Sequence, residues 1–237
     1  MTPHHIVEGE GPALLLSGSL GTTHQLWDPN VAALAARYRI VRYDHPGHGA
    51  TPPGARTMEG FAHAALAVAD ELGLDRFTFC GLSLGGMVGT WLGAHAPERL
   101  DRLVLASTAP RLPPSQQWLE RAATVRDRGL EAIADAVVGR WFRSSFTGDV
   151  KPWRRMLLST PAEGYARACE AIAAADLREE LAGINVPTTV LLGRHDPVIG
   201  DDEKRLLARV GDVVELEAAH LANVEQPESF ARAVLAA

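Results

Sequence analysis

Apolar positions along this chain follow two rhythms. Short, nearly continuous apolar runs stand at Ala13-Leu14-Leu15-Leu16, Ile40-Val41-Arg42-Tyr43, Phe77-Thr78-Phe79-Cys80, Leu103-Val104-Leu105-Ala106 and Val190-Leu191-Leu192. Such runs, bounded by turn residues, read as strands buried on both faces. Ile6-Val7 is a shorter strand candidate, closed by the turn Gly9-Glu10-Gly11-Pro12. Between the runs the spacing becomes helical. From Met58 to Leu72, Phe61, Ala65, Leu66 and Ala69 recur at helical intervals, and Trp27 to Arg37 reads as another helix. Strand and helix alternate from residue 13 to residue 107. That alternation predicts an α/β fold: a mostly parallel sheet with helices on both faces.

The rhythm changes at Ala109-Pro110-Arg111-Leu112-Pro113-Pro114. Beyond it only the helical period persists, predicting helices over Ser115–Arg128, Leu130–Phe142, Lys151–Leu158 and Ala162–Ala175. The sheet pattern resumes over Val186–Gly193. A helix over Asp201–Val210, a strand over Val213–Leu216, a loop holding His220 and a closing helix over Pro227–Ala236 follow. The expected organisation is a core of residues 1–110 and 179–237, with residues 111–178 as a helical cap over the active face.

Composition narrows the class. The chain has 237 residues, 46% hydrophobic and 22% charged, which suits one large α/β domain carrying an insertion. Its net charge of −6 argues against nucleic acid or an anionic membrane as partner. The charge is uneven, however. Residues 111–178 hold 11 Lys/Arg and 8 Asp/Glu, a net of +3, which leaves −9 for the rest. A basic cap on an acidic body favours an anionic substrate; solvated helix faces are the plainer account of most of these charges. The start of the chain has no basic stretch followed by a long apolar region, and no apolar run is long enough to span a bilayer. Two cysteines, Cys80 and Cys169, imply no disulfide framework, so a cytoplasmic location is expected. The oligomeric state has no signature here.

Chemistry concentrates at Gly81-Leu82-Ser83-Leu84-Gly85-Gly86. An apolar strand runs into Gly-x-Ser-x-Gly, and a small-residue helix leaves it. This is the context in which a sharp strand-to-helix turn lifts a serine hydroxyl above a sheet; without that context the pentapeptide reads as an ordinary turn. A nucleophilic serine needs a base, and the base an orienting carboxylate. Asp196 and His220 follow Ser83 in the order this architecture uses, each just after a predicted strand. Rival histidines fit less well. His95 lies 12 residues past Ser83 on one helix, roughly 18 Å away at the usual rise. His195 adjoins Asp196, and His45 and His48 come too early in the chain. Acyl transfer also needs donors for an oxyanion. The Leu84 N–H is one candidate, and the Ser17–Leu20 loop supplies the other, from Ser19 or, as its alternative, Leu20.

These residues make the chain similar to the α/β-hydrolases over nearly its whole length. Within them it most resembles the 3-oxoadipate enol-lactonases. The resemblance is carried by Ser17-Gly18-Ser19-Leu20-Gly21-Thr22 with Trp27-Asp28-Pro29, and by Tyr43-Asp44-His45-Pro46-Gly47-His48-Gly49. It continues in the Ser83 turn, in Ala96-Pro97-Glu98-Arg99-Leu100, and in His220-Leu221-Ala222-Asn223-Val224-Glu225-Gln226-Pro227. It implies a helical cap inserted after the sixth strand and a leading antiparallel strand trimmed or absent. It implies hydrolysis of a small anionic lactone through an acyl-enzyme on Ser83, with no metal and no organic cofactor. Because that lactone carries a free carboxylate, the cap is expected to offer an arginine. Arg140-Trp141-Phe142-Arg143 is the candidate stretch: Arg140 or Arg143 to bind, and Trp141 as an apolar wall. Competing readings on the same scaffold are an esterase or lactonase for neutral substrates, a carbon–carbon bond hydrolase, and a ligand-binding receptor with little turnover.

Overall fold

The computed structural model describes residues 1–112 and 114–237. The chain opens with β1 (His5–Glu8), β2 (Ala13–Ser17), a 3-10 turn at His24–Trp27, α1 (Asp28–Leu34) and β3 (Arg39–Tyr43). Then come α2 (Met58–Glu71), β4 (Phe77–Leu82), α3 (Leu84–His95) and β5 (Leu100–Ala106). Four helices follow in succession: α4 (Ser115–Arg128), α5 (Glu131–Trp141), α6 (Lys151–Leu158) and α7 (Ala162–Ala174). The chain closes with β6 (Thr188–Gly193), α8 (Asp201–Leu207), β7 (Asp212–Leu216), α9 (Ala222–Glu225) and α10 (Pro227–Ala236).

The strands form one sheet in the order β1-β3-β2-β4-β5-β6-β7, with β1 antiparallel and the rest parallel. Leu14, Leu15 and Leu16 are all fully buried. Successive strand residues point to opposite faces, so the sheet must be covered on both sides. Each such leucine contributes about 1.5–3 kcal/mol through burial. The covering follows from connection handedness. The chain steps one way from β2 to β3, then the other way from β3 through β4 and β5. Right-handed crossovers therefore put α1 on one face and α2 and α3 on the other. Accordingly α1 packs on α10, while α3 lies along β4 and β5 with α2 against it.

The direction reverses between β2 and β4, which are neighbours. Two loops diverge there at the carboxyl edge of the sheet and open a crevice. One is the Gly18–Thr23 loop after β2 and the other is the turn at Ser83. The Gly85 N–H donates to the Gly18 carbonyl across it at 3.0 Å.

The helical insertion leaves the sheet after β5 and returns at β6. Its ends meet, since the Leu177 N–H donates to the Pro110 carbonyl at 2.8 Å. Counted in this chain it follows the fifth strand, not the sixth. One antiparallel strand, β1, stands ahead of β2 among the described residues, and Gly9 and Gly11 turn it into β2 at φ +78 and +107. Within the insertion α4 packs on α7, and α5 on α4 and α6. It is seated on the core where Gly164 of α7 meets Gly47. A Cβ on either glycine would strike the other's backbone.

Local expectations fail at the ends of elements. The helix expected from Trp27 starts at Asp28, with Pro29 in its first turn, and stops at Leu34. The strand expected from Val186 starts at Thr188, past Pro187, which has no N–H to give a ladder. The helix expected to reach Val210 ends at Leu207. The single turn α9, in a stretch read as loop, is too short to show a period.

Candidate active site

Ser83 sits between β4 and α3 in a conformation L-residues seldom adopt, with φ 59 and ψ −112. The surroundings enforce it. A Cβ at Gly81 would collide with the Gly85 carbonyl, one at Gly85 with the Ser17 carbonyl, and one at Gly86 with Thr108. The Ser83 N–H donates to Ala106 at 2.9 Å, and the Thr108 hydroxyl donates to the Ser83 carbonyl at 2.8 Å. The residue's backbone is thus held on both sides while its hydroxyl points to the cavity.

That hydroxyl donates to His220 Nε2 at 2.9 Å. The other ring nitrogen, Nδ1, donates to Asp196 Oδ2 at 2.8 Å. The carboxylate can only accept, so Nδ1 carries the proton and Nε2 is the lone pair facing Ser83. Asp196 Oδ1 in turn accepts from the Val198 N–H at 2.8 Å. All three side chains are buried. Ser83 thus joins two residues more than a hundred positions further along the chain in one hydrogen-bonded relay, because β4, β6 and β7 deliver their following loops to the same sheet edge.

Around the Ser83 hydroxyl, the N–H groups of Leu84, Ser19 and Leu20 donate to nothing among the described residues. Leu84 N–H is at the start of α3, where the helix dipole also favours negative charge. Ser19 and Leu20 line the same cavity as Ser83 and His220.

Two histidines that lie outside the relay brace this loop. His45 Nε2 donates to the Gly18 carbonyl at 3.0 Å. His48 Nε2 accepts from the Gly21 N–H at 3.1 Å. Burial, with the neighbouring His48, pushes His45 down to about 3, and burial pushes His48 down to about 4. Both are therefore neutral at pH 7, fixed hydrogen-bonding posts rather than proton carriers. The other rivals are elsewhere: His95 stacks on Trp91 with ring centroids 4.6 Å apart, and His195 bonds Glu217 at 2.9 Å.

The cavity, of about 170 Å³, is roofed by the insertion. Arg140 and Trp141 line it, as expected of the α5 stretch. Arg143 does not. Its Nε donates to Glu225 at 2.8 Å, because α5 ends at Trp141 and the extended chain at Phe142 sends the next side chain away. A residue unsuspected from the sequence takes its place. Arg121 of α4 lines the cavity, its guanidinium 4.4 Å above the Trp118 ring. The Trp118 indole N–H is itself tied to the Leu112 carbonyl at 2.8 Å. Gln117, Trp118 and Arg121 share one helix face, but no local signal says that the face meets the cavity. Among the described residues neither Arg121 nor Arg140 pairs with a carboxylate, whereas Arg126, Arg143, Arg154 and Arg167 do. Burial, and then the charge of Arg121, lower Arg140 below the usual arginine value. Two guanidinium groups lining one cavity have the charge and the planar donors to hold an anion.

Among the described residues, His4, His24 and Asp44 place three potential metal-ligand atoms within 4.8 Å of one another. His24 Nδ1 and Asp44 Oδ1 already bond each other at 2.9 Å, and none of the three lines the Ser83 cavity. No helix among the described residues is long and apolar enough to cross a membrane.

The profile of the alpha/beta hydrolase family matches residues 13–233. The chain is 39% identical over 236 residues to 3-oxoadipate enol-lactonase 2 of Acinetobacter baylyi, covering 96% of this chain and 88% of that protein. It is 37% identical to 3-oxoadipate enol-lactonase 1 of the same organism, covering 92% and 85%. The crystal structure of the enol-lactonase from Burkholderia xenovorans LB400 superposes with a TM-score of 0.94 at 39% identity, covering 98% of this chain and 95% of that one.

Proposed function

The chain belongs to the alpha/beta hydrolase family, and from that premise we propose that it is a carboxylic ester hydrolase opening 3-oxoadipate enol-lactone to 3-oxoadipate in aromatic catabolism. One observation carries the reading: the Ser83–His220–Asp196 relay opens into a cavity bearing two arginines that have no carboxylate partner among the described residues. The relay supplies acyl transfer, and the arginines select an ester that carries a separate carboxylate. The likeness to enol-lactonases over nearly the whole chain supports the particular lactone.

Each step uses groups already in place. The lactone's free carboxylate settles on Arg140 and Arg121, whose planar forks suit its two oxygens. Ser83 Oγ attacks the ring carbonyl carbon as His220 Nε2 takes the hydroxyl proton. The new oxyanion is held by the Leu84 N–H and by an N–H of the Gly18–Thr23 loop, that of Ser19. Asp196 keeps the imidazole oriented and stabilises its charged form. Collapse breaks the ring carbon–oxygen bond. His220 gives its proton to the departing enol oxygen, and the enol becomes a ketone. Both halves of the substrate remain attached to Ser83, because the broken bond lay in a ring. A water molecule, losing a proton to His220, then cleaves the acyl-enzyme and restores Ser83. The product is a dicarboxylate.

The test is hydrolysis of freshly generated 3-oxoadipate enol-lactone, followed by loss of ultraviolet absorbance beside a neutral p-nitrophenyl ester. Fast lactone loss, weak ester turnover and an inactive Ser83→Ala protein are expected. Good ester turnover without lactone turnover would leave the relay standing and overturn the substrate. Turnover of neither would overturn the hydrolase reading.

A further inference from the structure

Glu225 is a carboxylate with a fully buried side chain. Removing such a group from water is costly unless donors meet it. Three do, and they come from two places. The N–H of Ala219, the residue before His220, donates to Oε1 at 3.0 Å. The Arg143 N–H donates to the same oxygen at 2.9 Å, and Arg143 Nε donates to Oε2 at 2.8 Å. On the other side of His220, the Leu221 N–H donates to the Trp141 carbonyl at 3.0 Å. The residues on either side of His220 are therefore tied, through the N–H groups of Ala219 and Leu221, to the C-terminal end of α5, one through Glu225 and one directly. That helix end also carries Arg140 and Trp141, which line the cavity.

The same segment is pinned to the core from below. Asn223 Nδ2 donates to the Leu26 carbonyl at 2.9 Å, and Asn30 Nδ2 donates to the Asn223 carbonyl at 3.0 Å. Asn223 thus fixes the α9 turn to the core, and Glu225 fixes it to the insertion. Both anchors lie within five residues of His220.

From this arrangement we infer that Glu225 and Arg143 are positioning residues: a buried ion pair that locks the α5 end to the His220 loop, so that the substrate-holding helix and the base move as one body. The pair touches no reacting atom and acts through the backbone at Ala219, alongside the direct bond from Leu221 to Trp141. Its link to substrate holding rests on the reading of Arg140 given above, while its link to His220 does not. A glutamine at 225 keeps the shape but has one acceptor oxygen and one NH₂ group. With three donors converging on two oxygens, the NH₂ must face an N–H, and the loop shifts to relieve it. A displacement of the base by about 1 Å suffices to cost on the order of 100-fold.

The experiment compares wild type with Glu225→Gln, measuring the rate of Ser83 modification by a fluorophosphonate per folded molecule. It also measures kcat and KM on the lactone and on a small neutral ester. Expected are a roughly 10- to 100-fold fall in the modification rate and an equal fall in kcat on both substrates, with KM changed less than twofold. A variant that melts at lower temperature yet reacts with the fluorophosphonate at the wild-type rate would reduce the pair to a structural role and overturn the inference. So would a change confined to KM for the lactone. Arg143→Gln, at a side chain about a quarter exposed, carries the same test should Glu225→Gln not fold. Failure of wild type to react with the fluorophosphonate at all would instead overturn the serine-hydrolase reading, so the two failures are distinguishable.

Discussion

At the scale of single residues, the two guanidinium groups of the cavity, which have no carboxylate partner among the described residues, are what the proposed preference for a carboxylated lactone rests on. Most other arginines of the insertion spend their charge on surface carboxylates, at little gain in stability. Arg140 and Arg121 instead keep theirs facing Ser83's cavity, at a desolvation cost that the lower pKa of Arg140 reflects. Replacing Arg140 with glutamine is expected to remove a charge-assisted hydrogen bond of about 1.5–3 kcal/mol, or roughly 10- to 100-fold in KM for the carboxylated lactone. KM for a p-nitrophenyl ester should stay within twofold. Equal losses on both substrates would remove the carboxylate from its assigned place. Asp196→Asn tests the relay. It keeps the shape of the side chain while disturbing the imidazole tautomer, and kcat should fall about 10⁴-fold. A fall under tenfold would show that the base does not depend on this carboxylate.

At the scale of elements, the placement of the insertion depends on two glycines that touch. Gly47 belongs to the loop after β3 and has φ +81, while Gly164 lies in the first turn of α7. Alanine at 164 would bring its Cβ onto the Gly47 carbonyl, so α7 must lift or the loop must yield. The expected cost is about 1–3 kcal/mol in urea unfolding. KM for the lactone should rise, because α7 carries Tyr165 on the cavity wall. Unchanged stability and KM would mean the contact is loose enough to absorb a methyl group. The loop after β3 is the same one that holds His45 and His48 against Gly18 and Gly21. One connection therefore supports both the roof of the cavity and the Gly18–Thr23 loop at its edge.

For the whole molecule, those two histidines set a pH dependence with a definite sign. Folded, they titrate near 3 and 4; unfolded, near the ordinary 6.5. Between these values the unfolded chain binds more protons than the folded one, so falling pH favours unfolding. Their contribution is complete above about pH 6.5. It is lost as pH drops toward 4 and then 3, by up to about 1.4 kcal/mol per pH unit for each group. Urea midpoints measured from pH 7.5 to pH 4.5 should decline across this window, and His48→Gln should flatten the slope. A flat profile in wild type would mean that these histidines are protonated without cost in the folded state.

Much of this was legible in the residues themselves. The strands of the core declared themselves because a sheet covered on both faces needs unbroken apolar runs. The helices of the insertion declared themselves because one buried stripe repeats at the helical period. Ser83, Asp196 and His220 could be chosen because loops following parallel strands must emerge at one edge, and the chain order did the rest. Tertiary structure alone decided which side chains face the cavity. An amphipathic helix tells that it has a buried face, but the rotation of α4 against α7 puts Arg121 in the cavity, and the end of α5 turns Arg143 away to Glu225. Those outcomes depend on contacts between segments up to 82 positions apart, which no local pattern encodes.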